Sequence, residues 1–200
     1  MTDADLGAAL PPPVPSAEMQ QRLAVRRSAP AQALTAPGPS RDEVERILRL
    51  GARTPDHGKL FPWRFVVMGP DSRADLARAL APLAARQLDP GKAAKVLSKL
   101  TAPPLTILVL SVPIAGHKVP VWEQELSAGA VCMNLEHAAN ALGYAASWIT
   151  DWYSYDPEAL ALYDVRAGER VAGFIHLGTP SEPSLERPRP DVAALTVWRD

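Results

Sequence analysis

The sequence predicts one globular domain built from helices and strands together, and three observations carry that prediction. Short β-forming apolar runs recur at Phe65–Met68, Leu105–Val112, Tyr144–Ile149 and Val171–Leu177. The segments between them place apolar residues at helical spacing. The 200 residues are 47% apolar and 22% charged, the composition of a chain that can bury one core.

Taken in order, residues 1–15 end in Pro11-Pro12-Pro13-Val14-Pro15, a polyproline-type flexible arm with nothing to bury. Ser16 caps a short helix with Met19 and Leu23 on one side, and that helix delivers Arg26-Arg27-Ser28. Two readings of the doublet stand side by side. It complements the helix macrodipole, or it binds an anion through the arginine forks and the serine hydroxyl. Ala29–Pro39 is a Pro/Ala linker. Ser40 caps a helix over Arg41–Ala52, with Val44, Ile47, Leu48 and Gly51 on one face.

Arg53–Phe65 follows as a helix-to-strand loop dense in charge, proline and aromatic residues. Such loops beside rigid elements commonly carry binding chemistry, although a solvated connector has the same composition. A helix is predicted over Asp71–Leu83, and another over Lys92–Leu100 with Lys92, Lys95 and Lys99 as a solvated face. Leu105–Val112 and Val171–Leu177 read as central strands, the second halted by Gly178-Thr179-Pro180. Pro120 opens a long helix to Leu142, closed by Gly143 and rich in small residues almost all round. Such a helix is buried, and a self-association surface is one use for it. Asp156-Pro157 opens a short helix to Tyr163. Ser181–Asp200, Pro- and Arg-rich, cannot form a core and is expected to wrap on another surface.

Composition narrows the function classes. A net charge of −1 offers no basic surplus for nucleic acid. The single cysteine, Cys132, excludes an internal disulfide and a multi-cysteine metal site. His57, His117, His137 and His176 lack ligand spacing, so no metal site is expected, and His137 reads as a satisfied core histidine. No apolar run reaches a membrane span, and the acidic start is unlike a signal peptide. A cytoplasmic protein is expected.

The order of features resembles the FMN-dependent nitroreductase family, most of all its small NAD(P)H nitroreductase subgroup. The resemblance runs from Met19 to Pro180. It rests on Arg26-Arg27-Ser28, on Pro55-Asp56-His57 with Pro62-Trp63-Arg64-Phe65, and above all on His117-Lys118-Val119-Pro120 through Trp122-Glu123-Gln124-Glu125 to Ser127-Ala128-Gly129. It implies an α+β fold, with a mostly antiparallel sheet flanked by helices, in an intertwined homodimer. Residues 16–180 would form the FMN-binding domain, and residues 181–200 an extension on the partner subunit.

The resemblance also implies FMN contacts from Arg26, Arg27 and Ser28, from Arg53 and His57, and from Trp148, Ile149 and Thr150. Lys59 joins them as a second cation, after Arg53, for the anionic edge of reduced flavin. NAD(P)H binding is implied for Ala138, Ala139, Asn140, Ala141, Leu142 and Gly143, a helix end that by pattern alone is dimer core. Lys59 and Phe61 stand where many relatives carry Asn and Gln, which makes the pocket mouth more apolar. The implied activity passes electrons from NAD(P)H to a nitroaromatic, quinone or similar acceptor in two steps, with no catalytic side chain required because the flavin carries the chemistry. Reductive dehalogenation, flavin breakdown, flavin binding without turnover and a flavin-free structural dimer are the alternatives.

Overall fold

The computed structural model describes residues 5–199. The remaining ends of the Pro-rich arm and of the C-terminal extension lie outside the described residues. The α+β expectation is met: five strands form one sheet, antiparallel at every pairing, between two layers of helices.

The centre of the sheet is β3 (Leu105–Ser111) beside β5 (Arg170–Pro180). β2 (Trp63–Met68) pairs with the outer side of β3. β4 (Ala145–Ile149) and β1 (Leu34–Thr35) share the far side of β5. Alternation along β3 sorts the two cores, since successive side chains point to opposite faces. Leu108 and Leu110 meet Leu76, Leu80, Leu100, Tyr153 and Phe174 on one face. Ile107 and Val109 meet Ile47, Val131, Leu135 and Ile175 on the other.

The first face is covered by α3 (Pro70–Ala84), α4 (Pro90–Lys95), α5 (Ser98–Thr101) and α7 (Pro157–Ala161). The second is covered by α2 (Arg41–Gly51) and α6 (Val121–Ala141). The remaining helix, α1 (Ala17–Val25), buries no residue. Ser40 and Glu43 close a reciprocal capping box on α2, which fixes where the helix starts.

Several sequence expectations need correction. The Ala29–Pro39 linker holds a 3-10 turn (Ala31–Ala33) and β1, because its buried Ala29, Ala31 and Leu34 give it something to pack. Lys92–Leu100 is two short helices, and Lys99 is not solvated alone: its Nζ pairs with Asp151 at 2.8 Å. β5 is not halted at Gly178 but runs on to Pro180 by pairing with β1. β2 starts two residues early, at Trp63. Pro120 stands at the N-cap of α6 rather than inside its first turn.

The core histidine is His176, not His137. His176 is fully buried on β5 with Nδ1 2.8 Å from Thr106 Oγ1, and burial pushes its pKa down to about 3. His137 is half-buried and lines a surface groove.

Candidate functional site

α6 is the rail on which the candidate residues hang. Its buried stripe (Ala128, Val131, Cys132, Leu135, Ala139) is clamped between the sheet and α2. At the crossing with α2, a Cβ on Gly51 would stand 2.9 Å from Leu135 Cγ, so only glycine lets the helices approach this closely. Gly143, at φ +90°, ends the run in the left-handed conformation that glycine adopts freely.

The arginine doublet sits where α1 ends against α6 and β4. Arg26 is the C-cap of α1, and its Nη1 donates to Glu136 Oε2 and to Ser28 Oγ, each at 3.4 Å. Glu136 is only 3% exposed. Burial raises its carboxyl pKa, while the Arg26 charge and a backbone hydrogen bond from Trp148 pull it down. A carboxylate buried behind an arginine is more than macrodipole compensation: it fixes where the guanidinium stands. Arg27 Nε donates to the Leu185 carbonyl at 2.9 Å, and Arg189 Nη2 donates to the Arg26 carbonyl at 3.2 Å. The C-terminal extension thus lies against the doublet. Arg22, Arg26, Arg27, Asn140, Tyr144 and Ala145 help line a groove of about 380 Å³ here.

The Arg53–Pro62 loop and the residues flanking it are stitched to α6 between Glu123 and Asn134. His57 Nδ1 is 2.7 Å from Glu123 Oε2. Ser127 donates to the Pro55 carbonyl at 2.8 Å and accepts from Trp63 Nε1 at 3.2 Å. Asn134 Nδ2 donates to Thr54 Oγ1 at 2.8 Å. Within the loop, the Phe61 N–H donates to Asp56 Oδ2 at 2.7 Å. Gly58, Lys59 and Phe61 all have positive φ, at 91°, 58° and 48°. For the two non-glycine residues this costs on the order of 1–3 kcal/mol each, which the Asp56 bond and the α6 contacts must offset. Arg53 and Lys59 project exposed from this frame.

The third group ends β4. Trp148 lies over Gly173, where a Cβ would collide with its indole, and its Nε1 donates to the Ala172 carbonyl at 3.0 Å. Ile149 packs partly against the first core. Thr150 Oγ1 accepts from Tyr155 Oη at 2.9 Å.

The end of α6 is mixed. Ala139 is fully buried and Ala138 nearly so, while Asn140 donates to the Tyr144 carbonyl at 2.8 Å. Ala138, Asn140 and Ala141 reach a second groove of about 490 Å³ between α1 and α6, shared with Met19, Leu23 and His137.

Within one chain these groups share α6 but not one cavity. The groove at the doublet is not lined by Arg53, His57, Lys59, Trp148, Ile149 or Thr150. Sequence reasoning missed Glu136, and it named Asp56 in the loop motif without its bond to the Phe61 N–H. The signal for Glu136 was a lone acid among Val131, Cys132, Leu135, Ala138 and Ala139 on the long helix, a position that needs a buried partner. Among the described residues, no three His, Cys, Asp or Glu side chains gather as a metal site, and no helix is long and apolar enough to cross a membrane.

Comparison with known proteins gives the family and the fold. The chain is 36% identical over 159 residues to the Putative NAD(P)H nitroreductase YdjA of Escherichia coli strain K12, covering 78% of this chain and 84% of that protein. The crystal structure of a nitroreductase-like family protein from Bacillus cereus superposes with a TM-score of 0.81 at 18% identity, covering 94% of this chain and 100% of the other. A nitroreductase with bound FMN from Bacteroides fragilis superposes with a TM-score of 0.72 at 20% identity, over 92% of this chain and 100% of that one. The Nitroreductase family pattern matches residues 23–179, and on that match the chain belongs to the nitroreductase family.

Proposed function

We propose that the protein is a homodimeric, FMN-dependent oxidoreductase that passes electrons from NAD(P)H to a nitroaromatic, quinone or similar acceptor in the cytoplasm. The observation that carries this reading is the Arg26-Arg27-Ser28 corner backed by buried Glu136, in a chain of this family. The donor set suits a flavin mononucleotide. Paired guanidiniums and a hydroxyl match a phosphate. Arg53 and Lys59 offer positive charge for the edge of the isoalloxazine that becomes anionic on reduction. Trp148, Ile149 and Thr150 supply an apolar wall ending in a hydroxyl.

FMN, when bound, supplies the hydride chemistry. The protein's part is to hold, orient and exclude water. Arg26 and Arg27 fix the phosphate end, His57 braces the loop through Glu123, and no side chain is needed as nucleophile. The NAD(P)H donor and the acceptor occupy the same place in turn, and the end of α6, Ala138–Gly143, is the proposed donor contact.

Two copies of the chain complete the site. Met19, Leu23 and Val25 of α1 and Trp122 and Leu126 of α6 are exposed apolar residues that one chain leaves uncovered. Along the extension Leu185, Val192, Leu195, Val197 and Trp198 are 69–87% exposed, a row that needs a surface to lie on. Residues 16–180 form the flavin domain in this reading, residues 1–15 an arm, and residues 181–200 a strap that lies on its own chain's doublet as far as Arg189 and continues onto the partner subunit.

The deciding experiment is optical. A purified protein that is yellow, bleaches with NADH or NADPH and recovers its colour with a nitroarene or quinone supports the reading. A yellow protein that does not bleach is a flavin binder without turnover, and a colourless protein that fails to take up FMN overturns the proposal.

A further inference from the structure

We infer that Phe61 is the residue that contacts the electron acceptor and selects planar, apolar aromatic acceptors. The inference rests on the flavoenzyme reading above and deepens it. Phe61 is 64% exposed, yet its backbone is held at φ +48° by the Asp56 carboxylate on its N–H and by the Trp63 N–H on its carbonyl, each at 2.7 Å.

A bulky aromatic residue seldom occupies this left-handed conformation, and glycine or asparagine does so at far lower cost. A loop that keeps phenylalanine here spends strain to present an apolar ring to solvent. The ring is also the outer end of a row. Phe61 meets Trp63 edge-to-face at 6.4 Å, and Trp63 meets Phe65 at 5.5 Å. Trp63 is anchored by its bond to Ser127, and both inner rings pack on the α6-side core. Phe61 is therefore an exposed aromatic edge on a rigid footing, within eight residues of Arg53, His57 and Lys59. A flat ring laid against that edge gains an aromatic contact that a polar or non-planar acceptor cannot make.

The test compares Phe61→Asn with Phe61→Tyr in the FMN-loaded full-length protein. Asparagine suits the backbone and removes the ring; tyrosine keeps the ring. The expected result is a roughly tenfold fall in the ratio of kcat/KM for 1,4-naphthoquinone to kcat/KM for ferricyanide in Phe61→Asn, expressed in KM, with the ratio restored in Phe61→Tyr. A second readout needs no turnover: binding of 2-naphthol to the oxidised protein by calorimetry weakens by a similar factor in Phe61→Asn only. An unchanged ratio together with unchanged 2-naphthol binding places Phe61 outside the acceptor site and overturns the inference. So does an equal fall for both acceptors, because it puts Phe61 on the flavin rather than on the acceptor. A wild-type protein that turns over neither acceptor overturns the functional reading itself.

Discussion

At the residue scale, Arg26 and Arg27 are neighbours with different duties. Arg27 is tied to the rest of the chain by a carbonyl contact, whereas Arg26 neutralises a carboxylate that is nearly out of water. Arg27→Ala is expected to weaken FMN binding by roughly ten- to a hundredfold, the loss of one charge-assisted hydrogen bond, with little change in Tm. Arg26→Ala is expected to lower stability as well, by up to about 3 kcal/mol, because Glu136 is left buried without its partner. Flavin titration of the apoprotein and thermal melts of both variants check the pair of outcomes. Equal affinity in Arg27→Ala would send the phosphate site elsewhere in the molecule.

His176 gives a pH dependence whose sign follows from its burial. Desolvation first, then the charges of Arg73 and Lys99, push its pKa to about 3. The unfolded chain takes up that proton near pH ~6.5. His176 therefore contributes full stability above that value, and the contribution is lost as pH falls from there toward 3. At its steepest the loss is about 1.4 kcal/mol per pH unit. Urea unfolding at pH 7 and pH 5.5 should show the wild type losing about 1 kcal/mol more than His176→Gln over that interval. Parallel curves for the two proteins would mean that the imidazole is hydrated or already charged in the fold.

At the element scale, the parts legible in the sequence are those whose local pattern and tertiary role agree. The near-continuous apolar run of β3, the Ser40 cap of α2 and the small-residue length of α6 could be read directly because each is packed as its pattern demands. What could not be read depends on partners far along the chain. β1 is two residues in a proline-rich stretch and exists because the end of β5 reaches it. The helix expected over Lys92–Leu100 is interrupted, and its second piece ends where Arg73, buried to 1% exposure, donates to the Leu100 carbonyl at 2.6 Å.

The candidate site divides in the same way. The doublet and the loop were visible as motifs and the β4 end only through the family resemblance, whereas Glu136, which fixes Arg26, lies on a helix 110 residues later. The β4–β5 pair offers a test at this scale. Gly173→Ala must displace the Trp148 indole and break its bond to the Ala172 carbonyl, at a cost of roughly 1–3 kcal/mol. Tryptophan fluorescence should shift and FMN affinity should fall, and an unchanged affinity would remove Trp148 from the flavin site.

At the scale of the whole molecule, a solution mass of twice 21.5 kDa at micromolar concentration is expected. Ending the chain after Pro180 should weaken that association and the retention of FMN together, measurable by analytical ultracentrifugation and by the flavin absorbance after gel filtration. A full-length protein that stays monomeric would refute the two-copy site. The other side of β2 carries a further consequence. Among the described residues its backbone is paired only toward β3, and Val67 on it is 43% exposed. An uncovered edge is a template for any extended peptide, so the protein at high concentration is vulnerable to sticking to others like itself. Expression yield should therefore depend on how concentrated the chain becomes. Slow induction should favour soluble protein over inclusion bodies.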